Sequence, residues 1–478
     1  MHKDLLYDKK DPFSLENYAQ GLLNKSLRDL YGKDLKNEYS GKGKLGQLVE
    51  SLHFGYKPNS NSEPDFLEAG VELKTTPIKK NSKGLVSKER LVFNIIDFEE
   101  EYKFSFNESS FWKKNSLLLL LFYLYENDKC DIDYIFKIAR LWRFPLTDLK
   151  IIKDDWNTIV GKIKSGNAHE ISEGDTLYLG ACTKGSTALK SNRNQPFSTQ
   201  KAPQRAFSLK SKYLNFIISK SLKGDFNLTK LDDEYLHFLK VDNNPLKEPS
   251  SGYGNLFDNT EPIIKNISEY KKGQTFEDVI LEKFSKYYDY SEQELITEFN
   301  LNINLKAKNK NFVIVKSILG ISKEKIEEFE KAEIEIKTIK LEATGTLKES
   351  MSFAQIKYKE IVNEDWEDSY WYNKLTKRFF LVIFQKDKEN IARLKKAMFW
   401  TMPTQDLKVA YKFWTQTKTN IKNGDYENFW QLKNHNICHV RPKATNSLDL
   451  METPQNTLEK KKSYWLNSEY ILKQIQND

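Results

Sequence analysis

The chain has 478 residues and a formal net charge of +8, from 75 Lys and Arg against 67 Asp and Glu. That length supplies the core of two or three domains, and the modest basic excess admits a polyanionic partner without requiring one. Three widely separated cysteines (Cys130, Cys182, Cys438) exclude a disulfide scaffold or a paired-cysteine zinc module and read as free thiols. The start, Met1-His2-Lys3-Asp4, has no apolar leader, and the longest apolar run, Leu117–Tyr125, has nine residues, too short to cross a bilayer. These features predict a soluble cytoplasmic protein with no membrane partner.

In chain order, residues 13–31 have helical spacing, with Ser14 as a candidate N-cap. Lys42-Gly43-Lys44 through Glu50 reads as a glycine-containing loop entering a helix, and Tyr56–Ser62 as a polar loop. A strand through Glu72 and Lys74 follows, then a turn around Asn81–Gly84, a strand at Leu91–Ile96, a buried strand at Leu117–Tyr125 and a helix near 146–165.

The first of these strands carries the chemistry. Pro64-Asp65-Phe66-Leu67-Glu68-Ala69-Gly70-Val71-Glu72-Leu73-Lys74 puts Glu72 and Lys74 two apart, so on a strand they leave the same face. Asp65 comes within reach if the chain bends back at Gly70. Two carboxylates can hold a hard cation such as Mg²⁺ through oxygen, and a lysine beside them can orient or stabilise the attacking oxygen in phosphodiester cleavage. Most Glu-x-Lys pairs on strands are only solvated charges, so the motif gains weight from its surroundings.

Those surroundings include a duplication. Trp142, Pro145, Asp148-Leu149-Lys150, Trp156 and Gly166 recur as Trp400, Pro403, Asp406-Leu407-Lys408, Trp414 and Gly424, each 258 positions later. Glu72-Leu73-Lys74-Thr75 finds its counterpart in Glu335-Ile336-Lys337-Thr338, and Leu117–Tyr125 in Phe379–Phe384. This period is too long for a solenoid and means two copies of one domain. The Pro-, Gly- and Ser-containing stretch 222–262 reads as a linker between a first domain, 1–221, and a second, 263–478.

With these residues in place, the chain resembles the MutH family of nucleases, and within it the two-copy restriction enzymes of the Sau-three-A-I type that cut GATC. The resemblance covers essentially the whole chain. It rests on Pro64-Asp65 with Glu72-Leu73-Lys74, on Lys42-Gly43 with Glu50, on Lys114 and on the duplication. It implies an α/β fold of two tandem MutH-like domains, each a mixed central sheet flanked by helices. It implies a type II restriction endonuclease that cuts double-stranded DNA before the G of GATC with Mg²⁺. Asp65, Glu72 and the Leu73 carbonyl would hold the metal, and Glu50 would support it or its water. Lys74 would position the attacking water, and Lys114 would support charge at the same phosphate. Opposite charge nearby keeps a lysine protonated, which favours Lys74 as an orienter over a neutral base. A repair-type nicking enzyme and a DNA-binding protein with a decayed site are the rival readings.

The resemblance places DNA-recognition loops in polar stretches of both copies, which on their residues alone read equally as ordinary polar loops. Thr183, Lys184, Arg193 and Gln195 offer groups suited to base edges and phosphates, and the resemblance adds Lys42, Ser208 and Lys210. The first copy has Cys182-Thr183-Lys184 where MutH has Arg-Pro-Lys, and Ser208 where it has tyrosine, so the response to adenine methylation is left open. The second copy keeps Arg441-Pro442-Lys443. It replaces Glu50 by Lys316, Asp65 by Glu328 and Gly70 by Glu333, while Glu335, Lys337 and Lys374 remain. It therefore reads as a non-catalytic, DNA-binding effector domain with Arg441 and Lys443 as its reading residues. One catalytic copy facing a palindromic site also predicts a transient homodimer on DNA. His53 and His169 read as surface or core histidines rather than ligands, and Tyr464 and Trp465 as packing aromatics.

Overall fold

The computed structural model describes residues 6–32, 44–56, 63–82, 84–185, 191–223, 259–303, 309–434, 436–446 and 448–477. Lys42 and the Pro- and Gly-rich stretch 243–254 lie outside the described residues. The chain divides into two compact units: Met1–Phe276 with Ile321–Glu333, and Glu277–Gly320 with Ile334–Asp478.

The strands of the first unit are β1 (Glu72–Asn81), β2 (Gly84–Ser87), β3 (Leu91–Ile95), β4 (Leu118–Leu124), β5 (Ile135–Trp142), β6 (Leu179–Thr183), β7 (Asn192–Gln195), β8 (Ser198–Pro203) and β9 (Arg205–Leu209), with a short parallel pair, β10 (Thr260–Glu261) and β11 (Lys325–Ile326). A mixed sheet runs β2-β1-β4-β5, with β1 and β4 parallel and the other pairs antiparallel. The leucine run explains why β4 is an inner strand: Leu118, Leu119, Leu120, Leu121 and Phe122 are all fully buried, which requires cover on both faces. A second sheet runs β3-β9-β6, and β7 and β8 form a hairpin.

The helix Leu146–Lys164 starts after Pro145 and buries Leu149, Ile152, Trp156, Ile159, Val160 and Ile163, a stripe at helical spacing. It is followed by Gly166 at φ +73°, where a Cβ would also lie 2.7 Å from the Phe197 carbonyl oxygen. Only glycine meets both demands. The single helix expected over 13–31 is two helices, Pro12–Ala19 and Leu27–Tyr31, capped by Asp11 and Ser26 rather than Ser14. Between them Asn24 takes φ +60° and its N–H donates to the Phe136 carbonyl, tying the break to β5.

The second unit repeats the plan with β12 (Glu335–Leu341), β13 (Met351–Gln355), β14 (Phe379–Lys386), β15 (Ala392–Trp400), β16 (Cys438–Pro442), β17 (Leu450–Glu452), β18 (Leu458–Lys460) and β19 (Lys462–Leu466). The order β12-β14-β15 reproduces β1-β4-β5, and Glu335 stands opposite Phe379 as Glu72 stands opposite Leu118. The order β13-β19-β16 reproduces β3-β9-β6. The helix Thr404–Lys422 follows Pro403 and precedes Gly424 at φ +74°, matching the first copy's helix at the 258-residue offset. Trp371, Phe379, Leu381, Phe413, Trp414 and Tyr464 centre its core.

The segment Ile321–Glu333 belongs to the first unit although it follows the start of the second copy. Its helix Glu327–Ala332 carries Lys331, whose ammonium lies 2.9 and 3.0 Å from the two oxygens of Asp148, 2.9 Å from Glu327 and 3.8 Å from the Phe216 ring centroid. The Tyr213 hydroxyl donates to Asp148 at 2.9 Å. Burial works against the Lys331 charge, but Asp148 and Glu327 outweigh it and hold the ammonium protonated. Among the described residues no helix is long and apolar enough to cross a membrane.

Candidate active site

The site begins with a folded-back loop. Phe66 and Val71 exchange backbone hydrogen bonds, N–H to O, of 2.9 and 3.2 Å, and Gly70 at φ +66° makes the turn between them. A Cβ on Gly70 would meet nothing within 4 Å, so the left-handed backbone, not crowding, favours glycine. The bend returns Asp65 to the start of β1. The Asp65 N–H donates to Glu72 Oε2 at 3.1 Å, and the Leu73 N–H donates to Asp65 Oδ2 at 3.0 Å.

Glu72 and Lys74 leave the same face of β1, and Lys74 Nζ lies 2.6 Å from Glu72 Oε1. Lys114 comes from the short helix Ser110–Asn115, which leads into β4 beside β1 and sets its Nζ 3.7 Å from the same oxygen. The Glu72 side chain is only 2% exposed. Burial lifts its carboxyl above the usual range, although Lys74 and Lys114 pull it down. Glu50 completes the group from a helical turn beside the sheet. Burial, with Asp65 and Glu72 adding like charge, pushes its carboxyl up to about 7 against the opposing pull of Lys74 and Lys114. Glu50, Asp65, Glu72, Lys74 and Lys114 therefore share one electrostatic environment.

Asp65 and Glu72 bring carboxylate oxygens together at the start of β1, the hard-donor chemistry a divalent cation takes, with one Glu72 oxygen held by Lys74. Among the described residues no group of three or more His, Cys, Asp or Glu side chains is placed to hold a metal ion.

The residues read from sequence as DNA contacts separate into two groups. Thr183 and Arg193 are exposed and Lys184 is half-buried. The Arg193 guanidinium donates to Gln204 Oε1 at 3.1 Å, and the Lys184 amide donates to the Gln204 carbonyl at 2.8 Å. Gln195, Ser208 and Lys210, also expected as DNA contacts, are buried in this chain. The Gln195 side chain accepts from the Ala168 amide and donates to the Gln200 carbonyl, bracing the β7–β8 hairpin. Lys210 Nζ donates to the Thr176 carbonyl at 2.6 Å. Ser208 sits on β9, the inner strand of its sheet. In the second unit Arg441 and Lys443 are exposed, and the Arg441 guanidinium lies 4.2 Å from the Trp465 ring centroid. Lys443 Nζ donates to the Phe353 carbonyl at 2.8 Å and lies 5.7 Å from the same ring.

The second copy's counterpart site is differently satisfied. Glu335 meets Lys337 at 2.7 Å and Lys374 at 2.8 Å, and its side chain is 31% exposed. Burial raises its carboxyl, but hydrogen bonds from both lysines more than reverse that, and the net shift is downward. Glu328, the counterpart of Asp65, is buried and accepts the Ile263 and Ile264 amides with its two oxygens.

Sequence comparison agrees with this two-copy nuclease architecture. The family described as the DNA mismatch repair enzyme MutH matches residues 54–155 and again 320–411, so each copy is a MutH-like endonuclease domain. The chain is 34% identical to the type II restriction enzyme Sau3AI of Staphylococcus aureus, over 97% of this chain and 98% of that enzyme. It is 28% identical to the DNA mismatch repair protein MutH of Shewanella woodyi over 44% of this chain and 90% of that protein, and 27% identical to that of Shewanella baltica (strain OS185) over 39% and 82%. The chain belongs to the Sau3AI family of type II restriction endonucleases, built from two MutH-like domains.

Proposed function

We propose that this chain cuts both strands of DNA at GATC in an Mg²⁺-dependent reaction, with the first copy cutting and the second binding a further DNA site as effector. The observation that carries the reading is the difference between the copies. Glu50, Asp65, Glu72, Lys74 and Lys114 gather in the first, while in the second Lys316 replaces the acid and Glu328 is committed to backbone amides.

Asp65 and Glu72, with the Leu73 carbonyl, would hold the metal, and Glu50 would support it or its water. A cation bound there supplies charge neutralisation at the phosphate and a more acidic water. Lys74 orients the attacking oxygen, and Lys114 adds positive charge from the neighbouring helix. Lys42, Thr183, Lys184 and Arg193 contact the cut site, and Arg441 and Lys443 read the effector site, with Trp465 beneath the guanidinium. One cutting copy per chain favours two chains meeting on the palindrome, and the enzyme acts on DNA in the cytoplasm.

Plasmids with one or two GATC sites, incubated with Mg²⁺ and no partner protein, test the reading. Double-strand breaks are expected, slow on the one-site plasmid and faster when a short GATC duplex is added. A coupling of about 5–150-fold is typical between linked sites. Arg441→Ala should abolish that stimulation and leave basal cleavage intact. Nicks that appear only with a helper protein, or binding without cleavage, would overturn the reading.

A further inference from the structure

The turn that presents Glu50 is not an ordinary helical one. After the helical residues Lys44–Leu48 the backbone widens across Val49–His53, with the Phe54 N–H donating to the Val49 carbonyl, five residues back. The Tyr56 N–H donates to the Glu50 carbonyl itself at 2.8 Å. Widened turns of this kind are rare and are frequent at functional sites.

His53 closes the turn and is buried. Its Nδ1 lies 2.7 Å from the Tyr31 hydroxyl, and its Nε2 lies 3.1 Å from the Tyr18 carbonyl. Nε2 therefore carries the proton and donates to that carbonyl, and Nδ1 accepts from Tyr31. The Tyr18 hydroxyl donates back to the His53 carbonyl at 3.1 Å, and the rings of Tyr18 and His53 stack at 4.4 Å. Burial keeps the imidazole neutral, as this arrangement needs. One residue on, the Tyr7 hydroxyl donates to the Phe54 carbonyl at 2.6 Å. Phe54 packs edge-on against Phe66, which follows Asp65, with ring centroids 5.0 Å apart. Both carboxylate-bearing segments thus lean on one aromatic cluster.

The second copy supplies an internal comparison. Where Glu50 becomes Lys316, His53 becomes Leu319 and Phe54 becomes Gly320. There the corresponding helix, Lys310–Ile318, is regular to its end. The widened turn, the histidine and the acid occur together in one copy and are replaced together in the other.

We propose that His53, clamped by Tyr31 and Tyr18, is a positioning residue that fixes the widened turn and so the carboxylate of Glu50, resting on the reading of Glu50 as part of the cutting site. Tyr31→Phe removes one oxygen, and His53→Phe removes both side-chain hydrogen bonds while keeping an aromatic ring. Each variant of the full chain is measured for plasmid cleavage with Mg²⁺, for DNA binding with Ca²⁺ and for thermal midpoint. We expect kcat to fall by about 10- to 100-fold, as for a catalytic group displaced by up to ~1 Å, with KM and DNA affinity unchanged. In a Glu50→Gln background the same substitutions should cost less than about twofold, because coupled residues are not additive. If His53→Phe fails to fold, Tyr31→Phe decides alone. A kcat near the parental value in Tyr31→Phe and in folded His53→Phe, or an equal loss in the Glu50→Gln background, overturns the positioning role while leaving that of Glu50 intact. Parental cleavage by Glu50→Gln itself would overturn both.

Discussion

Lys74→Met and Lys337→Met remove matching ammonium groups from the two copies and should have opposite outcomes. In the first copy Lys74 lies 2.6 Å from a Glu72 side chain that is 2% exposed, and the next cation, Lys114, is 3.7 Å away. Losing Lys74 leaves Glu72 with the more distant partner only and removes the group assigned to the attacking oxygen. Deleting one preorganised stabilising group from a site typically lowers kcat by ~10²–10³-fold, or ~2.7–4 kcal/mol. In the second copy Glu335 is 31% exposed and keeps Lys374 at 2.8 Å. An ion pair so exposed contributes only ~0.2–1 kcal/mol, and on the proposed division of labour none of it bears on cutting. Single-turnover cleavage of plasmid at saturating enzyme separates the two, with a gel shift in Ca²⁺ as the binding control. A Lys337→Met enzyme that binds DNA but cuts more than about tenfold slower would refute the assignment of chemistry to the first copy. So would a Lys74→Met enzyme that cuts within about tenfold of the parent.

Two further substitutions probe the segment Ile321–Glu333. Lys331→Met leaves Asp148 buried beside Glu327 with its cation gone, which should cost ~3–5 kcal/mol in denaturant unfolding, and Asp148→Asn in the same chain should recover part of it. Glu328 is lifted to about 7 by burial, against the pull of the two amides it accepts. In the fold it therefore binds a proton that the unfolded chain releases near its ordinary 4.5. Its contribution to stability is full below that value and is lost as pH rises through about 7. Relative to the parent, Glu328→Gln should look worse at pH about 5.5 than at about 7.5, and an equal difference in thermal midpoint at both would contradict the shift.

Much of the candidate site's geometry was legible because it is short-range. Strand periodicity alone puts Glu72 and Lys74 on one face, and Gly70 signals the bend that returns Asp65. The tryptophan and proline spacing marked the duplication, and the helices Leu146–Lys164 and Thr404–Lys422 fall at its offset. What sequence did not show depends on long-range packing. Gln195, Ser208 and Lys210 are polar and look available in a list of residues, but an inner strand and a braced hairpin bury them. Nothing local in Ile321–Glu333 announces that it joins the first unit, since that follows from Lys331 meeting Asp148, 183 positions away. The widened turn at Val49–His53 has no periodic signature, and its anchors are the distant Tyr18 and Tyr31. His53 reads from sequence as a surface or core histidine, and sequence could not show what its packing holds in place.

The second copy departs from the first at several independent points, and this limits what one reversion can do. Lys316 puts a cation where the first copy has Glu50. Both oxygens of Glu328 are taken by the Ile263 and Ile264 amides, so a neighbouring change does not release them. Glu333 occupies the left-handed conformation, φ +59°, that Gly70 adopts in the first copy, at a cost of ~1–2 kcal/mol for a residue with a Cβ. Glu335, held by two lysines, has less to gain from a further cation than Glu72, which Lys114 approaches only at 3.7 Å. Lys316→Glu should therefore fail to restore cleavage to a Lys74→Met chain, because the acid returns while the Asp65 counterpart stays committed. The measurement is plasmid cleavage by the double variant under Mg²⁺, with DNA binding as control. Recovery to within about tenfold of the parental rate would mean that Lys316 alone silences the second copy and that the amide contacts of Glu328 yield to a metal.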